Sequence, residues 1–349
     1  MKKQINILVI NPGSTSTKVA IFKNDKLYKN IGISHSNTFL KKFPTIYSQW
    51  RYRLNLIIQW LKNINFKLND INVIAGRGGL LKPLKGGVYK INEKMLEDLK
   101  KAKYGSHASN LGAILSYKIS EKLKIPSFIV DPVTVDELIP EARITGVSRI
   151  KRKSIFHALN QKAVAKRFGK DNLIVAHLGG GISIGVHKRG KVIDVNNALE
   201  EGPFSPERSG SLPSKQLVDM CFSGQYSKKQ ILSMLVGEGG LVSNLGTNDG
   251  KKIEKMIKTG NNKAKLIFKA MAYNIAKYIG SMATVLNGKV SAIILAGNLA
   301  RSKMLIKLIK PKIKYIAPVY VYLGEKEMES LAAGALMALK GKTKILNYG

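Results

Sequence analysis

Two short segments of the sequence are rich in glycine and small hydroxyl side chains. They are residues 11–18, Asn-Pro-Gly-Ser-Thr-Ser-Thr-Lys, and residues 177–183, His-Leu-Gly-Gly-Gly-Ile-Ser. Glycine permits close approach of the backbone, and the peptide N–H groups of such a turn can converge on an anion. The predicted phosphate-binding residues are Asn11, Ser14, Ser16, Lys18, His177, Gly179, Gly180, Gly181 and Ser183. The alternative is that both segments are ordinary tight hairpin turns.

Standard nucleotide-binding motifs do not describe these turns. The only Gly-Lys-Thr is at residues 341–343, and Leu336 occupies the position where a P-loop requires glycine. The glycine spacing around residue 180 does not follow the dinucleotide-binding fingerprint either. The sequence therefore predicts neither a P-loop nor a dinucleotide-binding fold.

Two arginines lie in loops of distinctive composition. Arg77 is flanked by glycines in residues 75–79, and Arg208 lies in a stretch rich in Pro, Gly and Ser. A guanidinium group binds carboxylate and phosphate oxygens in two-pronged geometry, so both arginines are candidates for anion binding. The alternative is that each is a solvated surface arginine of a very basic chain.

Both glycine-rich turns are set in the same pattern of strands, about half a chain apart. Each follows an apolar, β-branched strand and precedes another, which predicts an internal duplication of one hairpin. Strands are predicted at residues 5–10, 19–22, 127–130, 173–176, 184–186, 192–195 and 290–296, and helices at 47–61, 92–102, 109–123, 156–168, 299–309 and 328–339. The boundary between the two halves is expected near residue 150.

Composition narrows the class of protein. The 349 residues suffice for two domains, and a single cysteine, Cys221, excludes a disulfide framework within the chain. The start of the chain lacks the apolar run of a signal peptide, and no stretch reaches the length of a membrane helix, so a cytoplasmic protein is expected. The net charge of +36 is spread along the chain, which favours a lysine-rich solvated surface over a nucleic-acid-binding protein.

At these residues the sequence resembles the acetate and butyrate kinase family. Residues 11–18 and 177–183 are similar to its two phosphate loops, and residues 296–298 to its adenosine loop. Residues 75–79 and 198–210 resemble the butyrate kinase branch. The resemblance implies an α/β fold of two duplicated ribonuclease-H-like domains, of the actin-like ATPase type, flanking a nucleotide cleft. The domains would be residues 1–150 and 151–327, with the helix at 328–349 packing back on the first.

The resemblance also implies roles for individual residues. Arg77 and Arg208 would bind the carboxylate and steady the transferring phosphoryl, and His157 would donate a hydrogen bond to it. Glu327, with Glu325 as the alternative, would be linked to Mg²⁺ together with Asp131. The implied catalytic residues are Asn11, Arg77, Asp131, His157 and Arg208; the acid-binding residues are Arg77, Gly79, His107 and Phe156; Gly297 and Asn298 would join the phosphate turns in binding ATP or ADP.

The implied reaction joins a short-chain carboxylic acid to the terminal phosphate of ATP, giving an acyl phosphate and ADP reversibly. Small residues at Gly79, Ser106 and Ala198, with Phe156 kept, favour butyrate or a branched four- or five-carbon acid over acetate or propionate. The family also implies a homodimer or larger homo-oligomer. The alternatives outside the enzymes are an actin-like ATP-binding scaffold and a nucleic-acid binder. His35 and His187 match no family position and are predicted to lie at the surface.

Overall fold

The computed structural model describes residues 4–169, 171–324 and 326–349. Glu325, the alternative metal-linked carboxylate, lies outside the described residues. None of the helices in the described ranges has the length and hydropathy that a membrane crossing would require.

Strands and helices alternate along the chain. In the described residues the strands are β1 (Asn6–Pro12), β2 (Ser16–Lys23), β3 (Lys26–Ser34), β4 (Val73–Arg77), β5 (Val88–Lys90), β6 (Ser127–Val130), β7 (Leu173–Leu178), β8 (Ile182–Lys188), β9 (Lys191–Val195), β10 (Ala292–Gly297), β11 (Val319–Leu323) and β12 (Ile345–Leu346). The helices are α1 (Asn37–Leu40), α2 (Trp50–Asn63), α3 (Glu93–Lys100), α4 (Asn110–Leu123), α5 (Ala158–Phe168), α6 (Ser214–Phe222), α7 (Lys228–Leu235), α8 (Gly240–Leu245), α9 (Gly250–Lys258), α10 (Asn262–Thr284), α11 (Lys303–Ile313) and α12 (Glu327–Leu339).

The chain divides into two compact units. The first holds residues 4–135 and 326–349, so α12 and β12 return to it, and the second holds residues 136–324. The second unit begins before the boundary expected near residue 150. The reason is that residues after 135 bind β9: the Ile139 N–H donates to the Ile193 carbonyl at 2.9 Å, and the Val192 N–H donates to Glu137 at 2.8 Å.

The sheet of the first unit has the order β12-β5-β6-β4-β1-β2-β3, and that of the second has the order β11-β10-β7-β8-β9. In each unit three consecutive strands form an antiparallel meander, and the first strand of the meander pairs in parallel with a later strand. Apolar side chains of β1 and α4 build the first core, and those of β7, β8 and α10 build the second.

A shared irregularity supports the duplication. The pairing of β2 with β3 shifts by a bulge between Ile21 and Phe22, and that of β8 with β9 shifts between Val186 and His187. In both hairpins the bulge comes four residues after the residue that closes the turn. Bulges are retained structural features rather than defects, so a bulge at the same position in both sheets supports their duplication.

Small residues permit close packing where helices cross the first sheet. A Cβ on Gly76 of β4 would lie 2.4 Å from the Gly112 carbonyl of α4, and one on Gly334 of α12 would lie 2.6 Å from Val130. These glycines let α4 and α12 pack directly against strands whose ends carry candidate site residues. The predicted helix at 299–309 begins later, at Lys303, because Ser302 caps it with a hydrogen bond from the Leu305 N–H at 3.0 Å.

Candidate active site

The first glycine-containing turn is shorter than predicted. Strands β1 and β2 remain paired as far as Pro12 and Thr17, so only residues 13–16 form the turn. The Gly13 N–H donates to the Ser16 carbonyl at 2.7 Å, which draws the two ends of the turn together. The sequence predicts too long a turn here, because small polar residues such as Thr17 continue the ladder.

A buried arginine that the sequence analysis missed holds this turn from inside. Arg53 of α2 is 0% exposed. Its Nη1 donates to the carbonyls of Gly13 (2.9 Å) and Ser16 (3.2 Å), and its Nη2 donates to the carbonyl of Ser14 (3.2 Å). Burial lowers the pKa of Arg53 to about 10, which leaves it charged at neutral pH. A single guanidinium therefore fixes three carbonyls of the turn.

Arg53 also determines the direction in which the N–H groups of the turn point. In a trans peptide the carbonyl of one residue and the N–H of the next point in opposite directions, and the described chain has no cis peptide bond. Because the carbonyls of Gly13 and Ser14 point to Arg53, the N–H groups of Ser14 and Thr15 point away from it. Ser14, Thr15 and Lys18 are exposed, so the outer side of the turn offers donors and a positive charge to an anion.

The two histidines predicted to lie at the surface are buried, and that prediction was wrong. His35 is 5% exposed and its Nε2 lies 2.8 Å from the Thr17 hydroxyl, and His187 is 4% exposed and its Nε2 lies 3.1 Å from Gln161 Oε1. Burial, with Arg53 second, lowers the pKa of His35 to about 4. Burial, with Lys162 second, lowers that of His187 to about 3. Both rings are therefore neutral at neutral pH.

Three predicted residues of the first unit meet in one polar cluster. Register places Ile10 beside Gly76, so Asn11 and Arg77 follow at the neighbouring ends of β1 and β4. Glu327 at the start of α12 accepts from Arg77 Nη1 at 3.0 Å and from Asn11 Nδ2 at 2.8 Å. Arg77 Nη1 also donates to Asn11 Oδ1 at 3.2 Å.

This cluster is partly enclosed. Glu327 is only 7% exposed, so it is not a solvated acid at the start of the helix. Both donors meet the same oxygen, Oε2, which fixes the orientation of the carboxylate. The carboxylate in turn orients Arg77, whose side chain remains partly exposed.

Asp131 stands at the end of β6, next to the strand that carries Arg77. Arg77 pairs with Val130 across β4 and β6, and Asp131 follows with φ of 38°, a value that non-glycine residues rarely adopt. Its Oδ1 accepts from the Gly87 N–H at 2.8 Å, and its own N–H donates to the Gly87 carbonyl at 2.9 Å. The paired hydrogen bonds hold this strained residue in place.

The predicted acid-binding residue Gly79 has a packing role. A Cβ on Gly79 would lie 2.5 Å from both Cα and Oδ1 of Asn110 at the start of α4. The space is therefore filled by protein, and the absent side chain gives no extra room for an acyl chain. His107 lies in the adjacent loop and is exposed, with Nδ1 accepting from the Ser109 N–H at 3.2 Å.

The second glycine-rich turn is also shorter than predicted. Strands β7 and β8 stay paired as far as Leu178 and Ile182, leaving only residues 179–181 as the turn. The Gly180 carbonyl accepts from the Ser205 hydroxyl at 2.6 Å and from the Glu207 N–H at 3.2 Å. Neutral donors therefore hold this turn, where a charged arginine holds the first.

Arg208 packs directly against the second turn. A Cβ on Gly181 would lie 2.2 Å from Nη1 and 2.3 Å from Cζ of Arg208, so the glycine is what lets the guanidinium lie there. Its Nη1 donates to the Ala198 carbonyl at 2.7 Å, and burial lowers its pKa from the ordinary value. No carboxylate in the described ranges forms an ion pair with Arg208, whereas Arg152 nearby in sequence pairs with both Asp194 and Glu201.

His157 and His177 lie together beside the same turn. Their rings stack with centroids 3.9 Å apart and planes 17° apart. His157 precedes the first residue of α5 and is half-buried, and its Nδ1 lies 2.9 Å from the hydroxyl of Ser183. Ser183 itself is fully buried, so its hydroxyl serves His157 rather than solvent. Phe156 is buried in the core of the unit.

The predicted adenosine loop ends at the same edge of the second sheet. Ala296 of β10 pairs with His177 of β7, so Gly297 follows beside the glycine turn. Gly297 has φ of 90°, and a Cβ on it would lie 2.4 Å from the Leu178 carbonyl, so only glycine fits. Asn298 is exposed at the start of a single helical turn.

Comparison with known proteins agrees with this architecture. A model of the Acetokinase family matches residues 152–314. Structures superimpose over nearly the whole chain: acetate kinase from Porphyromonas gingivalis has a TM-score of 0.76 at 17% identity, covering 96% of this chain and 100% of that one.

Two further structures give the same result. Propionate kinase from Francisella tularensis subsp. tularensis SCHU S4 has a TM-score of 0.74 at 20% identity, covering 95% of this chain and 98% of that one. Acetate kinase from Entamoeba histolytica has a TM-score of 0.76 at 20% identity, covering 94% and 98%. These likenesses confirm the predicted fold class, an α/β protein with two duplicated domains.

Proposed function

We propose that this chain is an ATP-dependent carboxylate kinase, which moves a phosphoryl group reversibly between ATP and a short-chain carboxylic acid. The match of residues 152–314 to the Acetokinase family and the shared fold support this activity. The observation that carries it is the environment of Arg208, a guanidinium packed on a glycine turn with no carboxylate partner among the described residues.

An arginine in this state is suited to phosphate oxygens. A partly buried cation without a carboxylate retains its attraction for an anion, and charge-assisted hydrogen bonds to phosphate are short and strong. Arg152 differs from Arg208 in this respect, because it forms ion pairs with both Asp194 and Glu201. The positive charge of the whole chain further attracts an anionic substrate.

Phosphoryl transfer to a carboxylate requires the protein mainly to position the reactants and to neutralise their charge. A carboxylic acid is ionised at neutral pH, so its oxygen is already nucleophilic and needs no general base. Arg77, oriented by Glu327 and Asn11, would bind this carboxylate. Arg208 and His157 would stabilise the negative charge of the transferring phosphoryl.

In the second unit, ATP or ADP would be bound by N–H groups of the turn at residues 179–181 and by the end of β10 that carries Gly297. In the first unit, the turn at residues 13–16 offers donors suited to an anion. Mg²⁺ prefers oxygen ligands and is commonly bound by one or two carboxylates plus phosphate oxygens. Glu327 fits that role because two donors fix its carboxylate in one orientation. Asp131 is the second proposed ligand, and the ion would offset phosphate charge.

Butyrate, or a branched four- or five-carbon acid, is the proposed substrate. Its support is the likeness of residues 198–210 to the butyrate kinase branch, because this loop carries Arg208 and supplies the Ala198 carbonyl that holds it. Acetate or propionate is the second candidate, favoured by the names of the similar structures. Gly79 does not separate the two candidates, since Asn110 fills the space beside it.

Formation of acyl phosphate tests the proposal. The purified chain is incubated with ATP, Mg²⁺ and each acid from two to five carbons, and acyl hydroxamate is measured. Turnover should be highest with a four- or five-carbon acid. Highest turnover with acetate would retain the kinase and overturn the butyrate preference. ATP binding with no acyl phosphate from any acid would instead favour the scaffold alternative.

Substitution of Arg208 tests the residue that carries the proposal. Arg208→Ala should reduce turnover by about 100-fold or more, because a positioned cation in the transition state is lost. Nucleotide binding should be largely retained. Arg149→Ala is the matched control, since Arg149 is an exposed loop arginine of the same unit. Equal turnover in the two variants would contradict the role of Arg208.

A further inference from the structure

A chain of buried hydrogen bonds in the second unit runs from His187 to His157. His187 Nε2 lies 3.1 Å from Gln161 Oε1, and Gln161 Nε2 lies 2.8 Å from the Ser183 hydroxyl. The Ser183 hydroxyl in turn lies 2.9 Å from His157 Nδ1. Gln161, Ser183 and His187 are all nearly inaccessible to solvent, so water does not compete for these bonds.

The direction of each bond can be read from the Ser183 backbone. Its carbonyl lies 3.0 Å from Gln161 Nε2 and can only accept, so the nitrogen of the Gln161 amide must be the atom that faces it. The amide oxygen of Gln161 must then face His187, and His187 must donate from Nε2. Because burial keeps His187 neutral, its single ring proton is used in this bond.

The same reasoning gives the direction of the hydrogen bond between Ser183 and His157. The second hydrogen of the Gln161 amide is donated to the Ser183 hydroxyl oxygen, and the His157 N–H approaches that oxygen as well, at 3.5 Å. No other acceptor in the described residues is hydrogen-bonded to this hydroxyl, so its hydrogen is donated to His157 Nδ1. The ring of His157 that accepts at Nδ1 therefore carries its proton on Nε2, because a histidine that accepts at one nitrogen carries its proton on the other.

We propose that Gln161 and His187 are positioning residues that act through Ser183 to hold His157 in its Nε2–H tautomer, as a permanent hydrogen-bond donor. This inference rests on the proposed function, in which the donated proton would meet a phosphoryl oxygen. Neither Gln161 nor His187 belongs to the residues assigned to substrate or nucleotide.

Gly185 of β8 shows that the position of Gln161 is built into the fold. A Cβ on Gly185 would lie 2.4 Å from Gln161 Oε1, so only glycine leaves space for the amide. The strand interior is normally an unfavourable place for glycine, and close approach of another group is a common reason for it. Gly185→Ala therefore displaces the amide without changing any polar group.

Nuclear magnetic resonance of the histidine rings measures the tautomer directly. The full chain is labelled with ¹⁵N in its five histidines, and the His157 signals are assigned by their loss in His157→Gln. At neutral pH the wild type should show a protonated Nε2 and an unprotonated Nδ1. Ser183→Ala, Gln161→Leu and Gly185→Ala should each move both signals toward the average of the two tautomers.

A matched pair of substitutions separates the hydrogen bond from packing. His187→Gln places an amide N–H the same number of bonds from Cβ as His187 Nε2, whereas His187→Leu supplies no donor. The Gln variant should keep the wild-type tautomer of His157, and the Leu variant should not. With the preferred acid, kcat should fall about 10- to 100-fold in the Leu variant, with the KM for ATP little changed, as loss of an orienting partner commonly gives.

Two results would overturn the inference. One is a wild-type His157 protonated on Nδ1, and this measurement does not depend on whether any variant folds. The other is a tautomer unchanged in both Ser183→Ala and Gln161→Leu. The ring signals do not depend on turnover. A wild type that makes no acyl phosphate would therefore refute the proposed kinase activity, and the tautomer of His157 would still support or overturn this inference.

Discussion

The β1–β2 hairpin of the first unit and the β7–β8 hairpin of the second occupy equivalent positions in their sheets, yet different groups hold their turns. Asn11 and His177 lie at matching positions, one pair before the turn closes. In the first hairpin a buried guanidinium, Arg53, binds three carbonyls. In the second, the hydroxyl of Ser205 and a backbone N–H bind one carbonyl.

The two units place their positive charge differently. In both turns the carbonyls are held by donors inside the protein. The first unit puts its arginine behind the turn, where Arg53 is fully buried and cannot reach a ligand. The second holds its turn with neutral groups and leaves Arg208 beside the turn, packed on Gly181. One arginine thus fixes the shape of a turn, and the other would contact the substrate under the proposed function.

The largest effect is expected from Gly181→Ala, which tests whether Arg208 must lie beside the second turn. The added Cβ would occupy the position of the guanidinium, so Arg208 must move. Acyl phosphate formation should fall by about 100-fold or more, as for loss of one preorganised donor. Because the displaced atoms end a flexible side chain, the free energy of unfolding should change by less than about 1 kcal/mol.

Gly280→Ala is the control for this substitution. Gly280 lies in helix α10, and a Cβ there would meet nothing within 4 Å. Turnover should be unchanged, and the protein should gain up to about 1 kcal/mol from the better helix former. Full turnover in Gly181→Ala would show that Arg208 is not required beside the turn.

The next effect is on stability and tests the guanidinium behind the first turn. Arg53→Met removes the guanidinium donor from the carbonyls of Gly13 and Ser14, whereas the Ser16 carbonyl keeps the Gly13 N–H. An unsatisfied buried acceptor costs about 1–3 kcal/mol, and water can reach part of this exposed turn, so a total loss of about 3 kcal/mol is expected. Denaturant unfolding measures it, and the KM for ATP should rise because the turn is no longer fixed.

Arg51→Met provides the comparison on the same helix. Arg51 is exposed, so the change should alter the free energy of unfolding by no more than about 0.5 kcal/mol. Arg53→Lys should recover only part of the stability, because one ammonium group cannot match a forked guanidinium. An Arg53→Met protein as stable as Arg51→Met would mean that the turn holds its shape without the arginine.

Arg53 and Arg208 differ in how well the sequence predicts their roles. Arg208 was found because glycine, proline and serine around it indicate a loop and because the loop resembles a known family. Arg53 was missed because it lies in an ordinary helix. Its only signal is that it shares an apolar stripe with Ile57 and Trp60, at helical spacing. A charged residue in such a stripe must be bonded inside, but its partner is 40 residues away.

Pattern reasoning predicted the duplicated hairpins, seven of the twelve strands and six of the twelve helices in the described residues, because these depend on local periodicity. It did not predict β3, β4, β5, β11 and β12, nor α1 and α6–α10. It predicted turns that were too long, because Thr17 and Ser183 are small polar residues that continue the ladder. It placed His35 and His187 at the surface because burial of a polar side chain depends on a distant partner. The role of Gly79 was misread for the same reason, since Asn110 fills the space beside it.

A dependence of stability on pH is expected to separate the two buried histidines. His35 has a pKa of about 4 in the folded chain, below the ordinary 6.5, so between these values only the unfolded chain binds the proton. The free energy of unfolding should therefore fall as pH drops from 6.5 to 4, by up to about 1.4 kcal/mol per pH unit, and level off below. For His187, with a pKa of about 3, the loss should continue to that pH.

Unfolding of two variants across this pH range checks the assignment. His35→Gln should lose the part of the slope that ends near pH 4, and His187→Gln the part that continues toward pH 3. A His35→Gln protein with the full wild-type slope would show that His35 binds its proton equally in the folded and unfolded chains.

The smallest effect is expected where the second turn loses its hydroxyl donor. Ser205→Ala removes the 2.6 Å hydrogen bond to the Gly180 carbonyl, but the Glu207 N–H still donates to the same oxygen. Because that acceptor keeps one partner, the free energy of unfolding should fall by only about 1 kcal/mol. Ser223→Ala, at an exposed serine of the same unit, is the control. A loss as large as that of Arg53→Met would mean that a neutral donor supports its turn as strongly as the buried cation does, which would remove the energetic difference between the two hairpins.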